Sequence, residues 1–151
     1  MSLDSGPEVD LQVAALIPED YLPDIHARLV LYKRIASAET GEDLRKLKVE
    51  MIDRFGLLPD QVKALFAVTE LKQHAEQLGI KKLEAHAAGG RILFGPNPLI
   101  DAGELIGLIQ TQSQVYKFDG ADKLRFTQNL PDLETKLAFV EALLQRLAIK
   151  A

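Results

Sequence analysis

The apolar positions of the chain follow two different periods, and the shorter one predicts strands. From Glu8 to Ile17, apolar residues alternate with mostly polar ones, which is typical of a half-buried strand. Short apolar runs on either side of Ala88-Gly89-Gly90 predict a hairpin, and two more runs flank Asp119-Gly120-Ala121-Asp122. We therefore expect about five short strands, which are Glu8–Ile17, Lys82–His86, Arg91–Gly95, Gln114–Phe118 and Lys123–Thr127.

The longer period, three to four residues, predicts helices over most of the remaining chain. The residues that the first helix is expected to bury are Leu29, Tyr32, Ile35 and Ala36. Runs of helices beside a small sheet indicate the α+β class. We predict a small, mainly antiparallel sheet flanked by about five helices in a single domain. The predicted helices are Asp24–Ala38, Thr40–Gly56, Pro59–Gly79, one that begins at Asp101, and Leu133–Leu147.

The second helix has signals at both ends. Thr40-Gly41-Glu42-Asp43 is a capping-box pattern, in which the threonine hydroxyl accepts a hydrogen bond from an amide three residues on. Gly56 supplies a left-handed residue that ends the helix, and Pro59 begins the next one, where its missing N–H costs nothing. The residues expected on the inward face are Leu44, Leu47, Met51, Ile52 and Phe55.

The outward side of this helix carries Glu50 and Asp53, with Arg54 on the flank and Val49 beside them. One interpretation is structural, because Glu50 and Arg54, four residues apart with the acid first, form a pair that stabilises a helix by about 0.2–0.5 kcal/mol. The other is functional, since two carboxylates beside an exposed valine suit the arginines of a partner surface. The residues alone leave both interpretations open.

Composition narrows the possible function classes. The chain has 18 basic residues scattered among 22 acidic ones and a net charge of −4, so direct nucleic-acid binding is not expected. It contains no cysteine, which excludes disulfides, thiolate nucleophiles and cysteine-based zinc sites. No window approaches the roughly 18 apolar residues of a membrane span, so we expect no membrane partner and a cytoplasmic location. Residues 1–7 are interpreted as a leader or linker remnant, and residues 8–151 as the domain.

No motif in the sequence predicts catalysis. There is no phosphate-binding glycine loop ending in Lys-Ser or Lys-Thr, and no Gly-x-Ser-x-Gly elbow. His26, His74 and His86 lie far apart without carboxylates at metal-ligand spacing, so we expect no catalytic residue, metal or cofactor. Two alternatives stay open. One is a small enzyme whose site is assembled only in three dimensions, and the other is an accessory nucleic-acid-binding domain that uses the basic residues Lys117, Lys123 and Arg125.

Four stretches of the chain together form a recognisable pattern, and they are Tyr32–Ala36, Glu50–Pro59, Leu78–Glu84 and Leu105–Leu108, in that order along the chain. They resemble one family, the C-terminal domain of the bacterial transcription-repair coupling factor, Mfd. The resemblance extends over nearly everything from Asp10 to Leu147. It is loosest over Ala87–Pro98 and the closing helix.

The resemblance implies a regulatory domain that is not itself an enzyme. In that family, the full protein is an ATP-dependent DNA translocase that releases stalled RNA polymerase and recruits the excision-repair protein UvrA. Its C-terminal domain is an autoinhibitory clamp, which docks on the N-terminal UvrB-like module of the same polypeptide and masks the UvrA-binding surface. The family's docking positions match Glu50, Asp53 and Arg54, and helix geometry adds Val49. UvrA and RNA polymerase are then indirect partners.

Overall fold

The computed structural model describes residues 6–150, and within them the chain forms five helices and five strands. Most of the leader predicted at residues 1–7 lies outside the described residues. The helices are Ile25–Ser37 (α1), Gly41–Phe55 (α2), Asp60–Gln77 (α3), Ala102–Thr111 (α4) and Leu133–Leu147 (α5). The strands are Glu8–Asp10 (β1), Ile80–His86 (β2), Gly89–Phe94 (β3), Tyr116–Phe118 (β4) and Lys123–Thr127 (β5).

The described residues divide into two compact units. The first unit is Val13–Gln73 and holds α1, α2 and most of α3. The second unit combines Gly6–Gln12 with residues 74–150 and holds the whole sheet, α4 and α5. The predicted α+β class, with a small sheet and about five helices, is confirmed. The predicted extent of the domain, residues 8–151, stays a prediction.

An apolar core joins the three helices of the first unit. Phe66 of α3 is fully buried, and the Lys48 ammonium lies 5.5 Å from the centroid of its ring. The Tyr32 hydroxyl accepts a hydrogen bond from the amide of Ile17 at 2.7 Å, which attaches the segment before α1 to that helix. Burying each large aliphatic side chain contributes about 1.5–3 kcal/mol. The core residues are Ile17, Leu22, Leu31, Ile35, Leu44, Leu47, Met51, Val62 and Phe66.

The sheet of the second unit has the strand order β1-β2-β3-β5-β4. Strand β1 runs parallel to β2 and the other pairs are antiparallel, so the prediction of a mainly antiparallel sheet is confirmed. The hairpin between β2 and β3 closes at the pair His86 and Gly89. Gly89 has a φ of 145°, and a Cβ there would lie 2.1 Å from the carbonyl oxygen of Phe126. Only glycine therefore fits this turn.

A buried lysine joins the two chain segments that build the second unit. Lys136 of α5 is only 6% exposed, and its Nζ donates to the carbonyl oxygen of Leu11 at 2.8 Å. A buried ammonium requires such a partner, because desolvating a charged group without one is costly. No helix among the described residues has both the length and the apolar character that crossing a membrane requires.

The predicted first strand is too long. The structure ends β1 at Asp10, because Gln12 has a φ of 54° and its amide donates to the Asp10 carboxylate at 2.9 Å, which forms a turn. Leu11 is nevertheless buried in the second unit and Ile17 in the first. The alternating pattern therefore came from apolar residues that are buried in two separate units.

Some inward positions were also predicted wrongly. In α1 the buried residues are Leu31 and Ile35, whereas Leu29 is 58% exposed. Ile35 is thus buried as predicted and Tyr32 is half-buried, whereas Ala36 is exposed and Leu31, not Leu29, lies on the inward face. Ile52 of α2 was expected on the inward face but is 39% exposed.

Candidate functional site

The candidate site lies on α2, whose ends form as predicted. The Thr40 hydroxyl accepts from the amide of Asp43 at 3.0 Å, and the amide of Gly56 donates to the carbonyl oxygen of Ile52 at 2.9 Å. Gly56 has a φ of 96°, the left-handed region that favours glycine. The helix therefore has fixed ends, and burial of its apolar stripe sets which residues face outward. The fully or nearly fully buried residues of α2 are Leu44, Leu47 and Met51.

Glu50 is held between two arginines. Arg34 of α1 donates from both Nη nitrogens to the two carboxylate oxygens of Glu50, at 2.5 and 2.8 Å, and Arg54 donates to it at 3.1 Å. The fork of Arg34 is the main cause that lowers the pKa of the Glu50 carboxyl to about 2. The predicted pair of Glu50 with Arg54 is present, and a second, two-pronged pair accompanies it.

Arg34 is the site residue that the sequence reasoning missed. It lies on a different helix, so no spacing along α2 indicates it. The signal available was the link of only three residues, 38–40, between α1 and α2, because short links favour antiparallel packing of neighbouring helices. Such packing places α1 against α2, so that a long side chain such as that of Arg34 can reach the second helix.

Asp53 and Val49 lie on the outer face of α2, one helical turn apart. Asp53 is exposed and makes no ion pair within residues 6–150, and Val49 is 48% exposed. Arg54 lies over the ring of Phe55, with its guanidinium carbon 4.7 Å from the ring centroid. The four residues named from the sequence are thus one surface, which we call the α2 face and define as Val49, Glu50, Asp53 and Arg54, with Arg34 added.

A depression of about 380 Å³ adjoins this face, with Arg34 and Glu50 in its lining together with Asp43 and Lys46. Its lining combines these four charged side chains with Ser37, Ala38 and Leu47, and the lowered pKa of Glu50 follows from its ion pairs with Arg34 and Arg54. Elsewhere, among the residues that the structure describes, no three histidine, aspartate or glutamate side chains are grouped as a metal site requires. The site therefore presents charged side chains at the surface, of which Arg34, Glu50 and Arg54 are held in place by ion pairs.

The fold and the candidate site together define the class of this protein, a small α+β domain with a charged helix face. The family model of the TRCF domain matches residues 11–105, and the chain belongs to that family. The family predicted from the four sequence stretches is therefore confirmed.

Named relatives agree with this assignment. The chain is 44% identical over 140 residues to the transcription-repair-coupling factor of Escherichia coli (strain K12), a match that covers 93% of this chain and 12% of that protein. It is 45% identical over 141 residues to the protein of the same name from Haemophilus influenzae, again covering 93% of this chain and 12% of the relative. The chain thus spans about an eighth of the length of these curated relatives.

A solved structure has the same fold. It is described as the crystal structure of the C-terminal domain of a transcription-repair coupling factor, and the match has a TM-score of 0.73. The two chains are 24% identical, and the match covers 94% of each. At that identity the likeness supports the fold and not the roles of single residues.

Proposed function

We propose that this chain is the C-terminal regulatory domain of a transcription-repair coupling factor and acts as an autoinhibitory clamp. It docks through the α2 face on the N-terminal UvrB-like module of the same polypeptide and masks the surface that UvrA uses. The parent protein is then an ATP-dependent DNA translocase of transcription-coupled nucleotide-excision repair, which releases stalled RNA polymerase. This domain contributes regulation and no catalysis.

The observation that carries the proposal is the arrangement of charges on the α2 face. Asp53 is a carboxylate that is exposed and unpaired within residues 6–150, next to the exposed apolar side chain of Val49. A partner arginine would find in Asp53 an acceptor that no internal bond occupies. Val49 supplies apolar area to bury beside that pair, since interfaces combine a less polar centre with a charged rim.

Glu50 has a different part in this proposal. Because Arg34 and Arg54 already hold its carboxylate, Glu50 orients two guanidinium groups on the surface. Those groups keep further N–H donors for acidic residues of the partner. The partner surface is therefore expected to carry both charges, a basic residue opposite Asp53 and an acidic one opposite Arg34 or Arg54.

Weak contacts suffice for such a clamp. Linkage within one polypeptide supplies an effective concentration that reaches the millimolar range for suitable linkers. The docked and open states of such a clamp differ by only a few kcal/mol in free energy, so that polymerase engagement or nucleotide turnover in the motor releases it. Exposed charge pairs, each worth little by itself, suit that requirement.

The test compares UvrA binding by three forms of the parent protein: the full-length protein, a form that lacks this domain, and full-length Asp53→Arg. We expect the second and third forms to bind UvrA more tightly than the first. Full-length Glu70→Arg, which reverses an exposed carboxylate on α3, is the matched control and is expected to behave as the unchanged protein. Equal binding by the full-length and shortened forms would refute autoinhibition.

A further inference from the structure

The sheet has one face covered by a helix and one face open to solvent. Buried residues alternate with exposed or half-buried ones from Leu83 onward in β2, from Gly90 onward in β3, and along all of β5. Phe139 of α5 stacks on Tyr116 with the ring centroids 6.1 Å apart and packs on Phe126 at 5.1 Å, which covers the buried face. The opposite, open face carries mainly polar side chains, among them Glu84, His86, Arg91, Lys117, Arg125 and Thr127.

Three cations lie side by side across this open face. Arg91 of β3 is the register partner of Arg125 of β5, and Arg125 is the register partner of Lys117 of β4. Like charges directly opposite each other on neighbouring strands are destabilising. The stability of the sheet therefore does not explain this row of residues.

Nearby carboxylates compensate the row only in part. The Nε of Arg91 donates to Glu84 at 3.1 Å, and one Nη of Arg125 donates to Asp119 at 2.7 Å. A guanidinium has five N–H donors, so most of those on both arginines have no acceptor within residues 6–150. The open face thus presents unused hydrogen-bond donors that carry positive charge.

His86 adds a donor to the same face. Its Nδ1 accepts from the amide of Ala88 at 3.2 Å, which leaves Nε2 as the protonated nitrogen of the neutral ring. One depression of about 270 Å³ is lined by His86, Arg91, Arg125 and Thr127, and also by Glu84, whose carboxylate is paired with Arg91. At Gly90 the depression is lined by backbone only, and a Cβ at this position would lie 2.0 Å from the carbonyl oxygen of Glu84.

We propose that this sheet-face cluster, defined as His86, Arg91, Lys117, Arg125 and Thr127, binds the carboxylates of an acidic helical segment in a partner protein. Guanidinium forks pair with carboxylates through two parallel hydrogen bonds. Glutamates four residues apart on a helix are about 5–6 Å apart at Cβ. Neighbouring strands are about 4.8 Å apart, so two such glutamates match Arg91 and Arg125. This cluster shares no residue with the α2 face, and its proposed role does not depend on the function of that face.

The carboxylates among these cations favour a polypeptide over a nucleic acid. The open face also carries Lys82 and Lys123, and two carboxylates lie among its cations: Glu84, which Arg91 and Lys82 share, and Asp119 beside Arg125. Binding to a phosphate backbone draws on several uncompensated cations and, for single strands, on exposed aromatic rings for stacking. The aromatic ring that lines this depression, Phe126, is only 1% exposed. Local pairing with two carboxylates fits the cluster better.

The test uses a synthetic alanine-based helical peptide with glutamates at positions i and i+4, and its twin with glutamine at the same positions. Each is titrated into the isotope-labelled chain and followed by NMR. We expect the glutamate peptide to shift the amide signals of the sheet-face cluster with saturation, and the glutamine peptide to leave them unchanged. Arg91→Gln with Arg125→Gln is expected to weaken binding by at least about tenfold.

Matched variants separate this site from a general charge effect. Lys63→Gln with Lys72→Gln removes the same charge from exposed positions on α3 and is expected to bind as the unchanged chain. Arg125→Lys keeps the charge but removes the guanidinium fork, so we expect an intermediate loss of affinity for the glutamate peptide. This variant replaces the double arginine variant in the test if the latter fails to fold. Equal binding of both peptides, shifts outside the cluster, or tighter binding of a single-stranded oligothymidine on the cluster would overturn the proposal.

Discussion

Arg34 places its two Nη nitrogens 2.5 and 2.8 Å from the two carboxylate oxygens of Glu50, so that α1 and α2 are joined by a two-pronged ion pair. Such a pair has one favoured geometry, unlike a single contact from a lysine. It also occupies the carboxylate of Glu50, which is one of the positions that the family resemblance had assigned to a partner. Asp53 is thereby left as the carboxylate of the α2 face without an ion-pair partner within residues 6–150.

Reversing both acids of the α2 face, by Glu50→Arg with Asp53→Arg, is expected to leave the chain folded and to weaken docking on the N-terminal module. Asp53→Arg alone is expected to cause most of the loss, at least about tenfold in affinity, because it places a cation against the partner's basic residue. Calorimetric titration of the isolated module measures this. With Glu70→Arg as control, unchanged affinity of Asp53→Arg would remove that residue from the interface.

Acid is expected to weaken the fold through Glu50. The folded pKa of about 2 lies below the ordinary value of 4.5, so the contribution of Glu50 to the free energy of unfolding is present above about pH 4.5 and is lost as the pH falls toward 2. Glu50→Gln lacks that contribution. We expect it to be less stable than the unchanged chain at about pH 6, with the difference narrowing in acid.

Urea unfolding between about pH 6 and pH 3 measures that difference, and NMR titration of the Glu50 carboxyl carbon measures the pKa itself. Arg34→Gln is expected to raise this pKa toward 4.5, since it removes the main cause of the shift. Glu70→Gln is the control for loss of an exposed carboxylate. A stability difference for Glu50→Gln that stays constant across this range would contradict the assignment.

Lys136→Met is expected to lower the free energy of unfolding by about 1–3 kcal/mol, because it leaves the buried carbonyl oxygen of Leu11 without its donor. The amides of β1 are expected to exchange faster with deuterium, since this bond holds the residue that follows the strand. Chemical denaturation and hydrogen exchange check the two effects. Lys33→Met, an exposed lysine on α1, is the control, and equal stability of both variants would show that the buried bond contributes nothing.

Two glycines are expected to respond to alanine with opposite signs. Gly89→Ala forces a Cβ to within 2.1 Å of the carbonyl oxygen of Phe126 at a φ of 145°, so we expect a loss of at least about 1–3 kcal/mol. Gly107 lies inside α4 with nothing within 4 Å of its Cβ position, so Gly107→Ala is expected to stabilise by about 0.5–1 kcal/mol. Thermal unfolding compares them. A stable Gly89→Ala variant would contradict the described turn.

The sequence predicted those features that are determined locally. Thr40 and Gly56 mark the ends of α2 through their own hydrogen bonds and backbone preference, so their roles could be predicted from a few neighbouring residues. Features formed between distant residues could not. Arg34 and Glu50 are 16 residues apart, and Lys136 and Leu11 are 125 residues apart. No periodic pattern indicates which residues such pairs join.

The prediction of β1 failed for a related reason. Periodicity detects burial without indicating which unit buries a residue, and Leu11 and Ile17 are buried in different units. The turn at Gln12 has no glycine, which is the residue whose presence usually reveals a positive φ. The outward position of the residues of the α2 face could be predicted because the buried residues of α2 recur at helical spacing, whereas the ion pair between Arg34 and Glu50 depends on tertiary packing.

The division of the second unit into two sequence segments has a consequence for synthesis on the ribosome. The first unit is continuous from Val13 to Gln73, so it emerges complete while the second still lacks most of its residues. Strand β1 emerges early but can pair only after β2 has emerged. Leu11 can accept its hydrogen bond only after Lys136 has emerged, which is later still. At about 5–20 residues per second, that interval lasts several seconds or more. The helical unit is therefore free to fold during translation, and emergence of the closing helix α5 sets the time at which the sheet unit completes its fold.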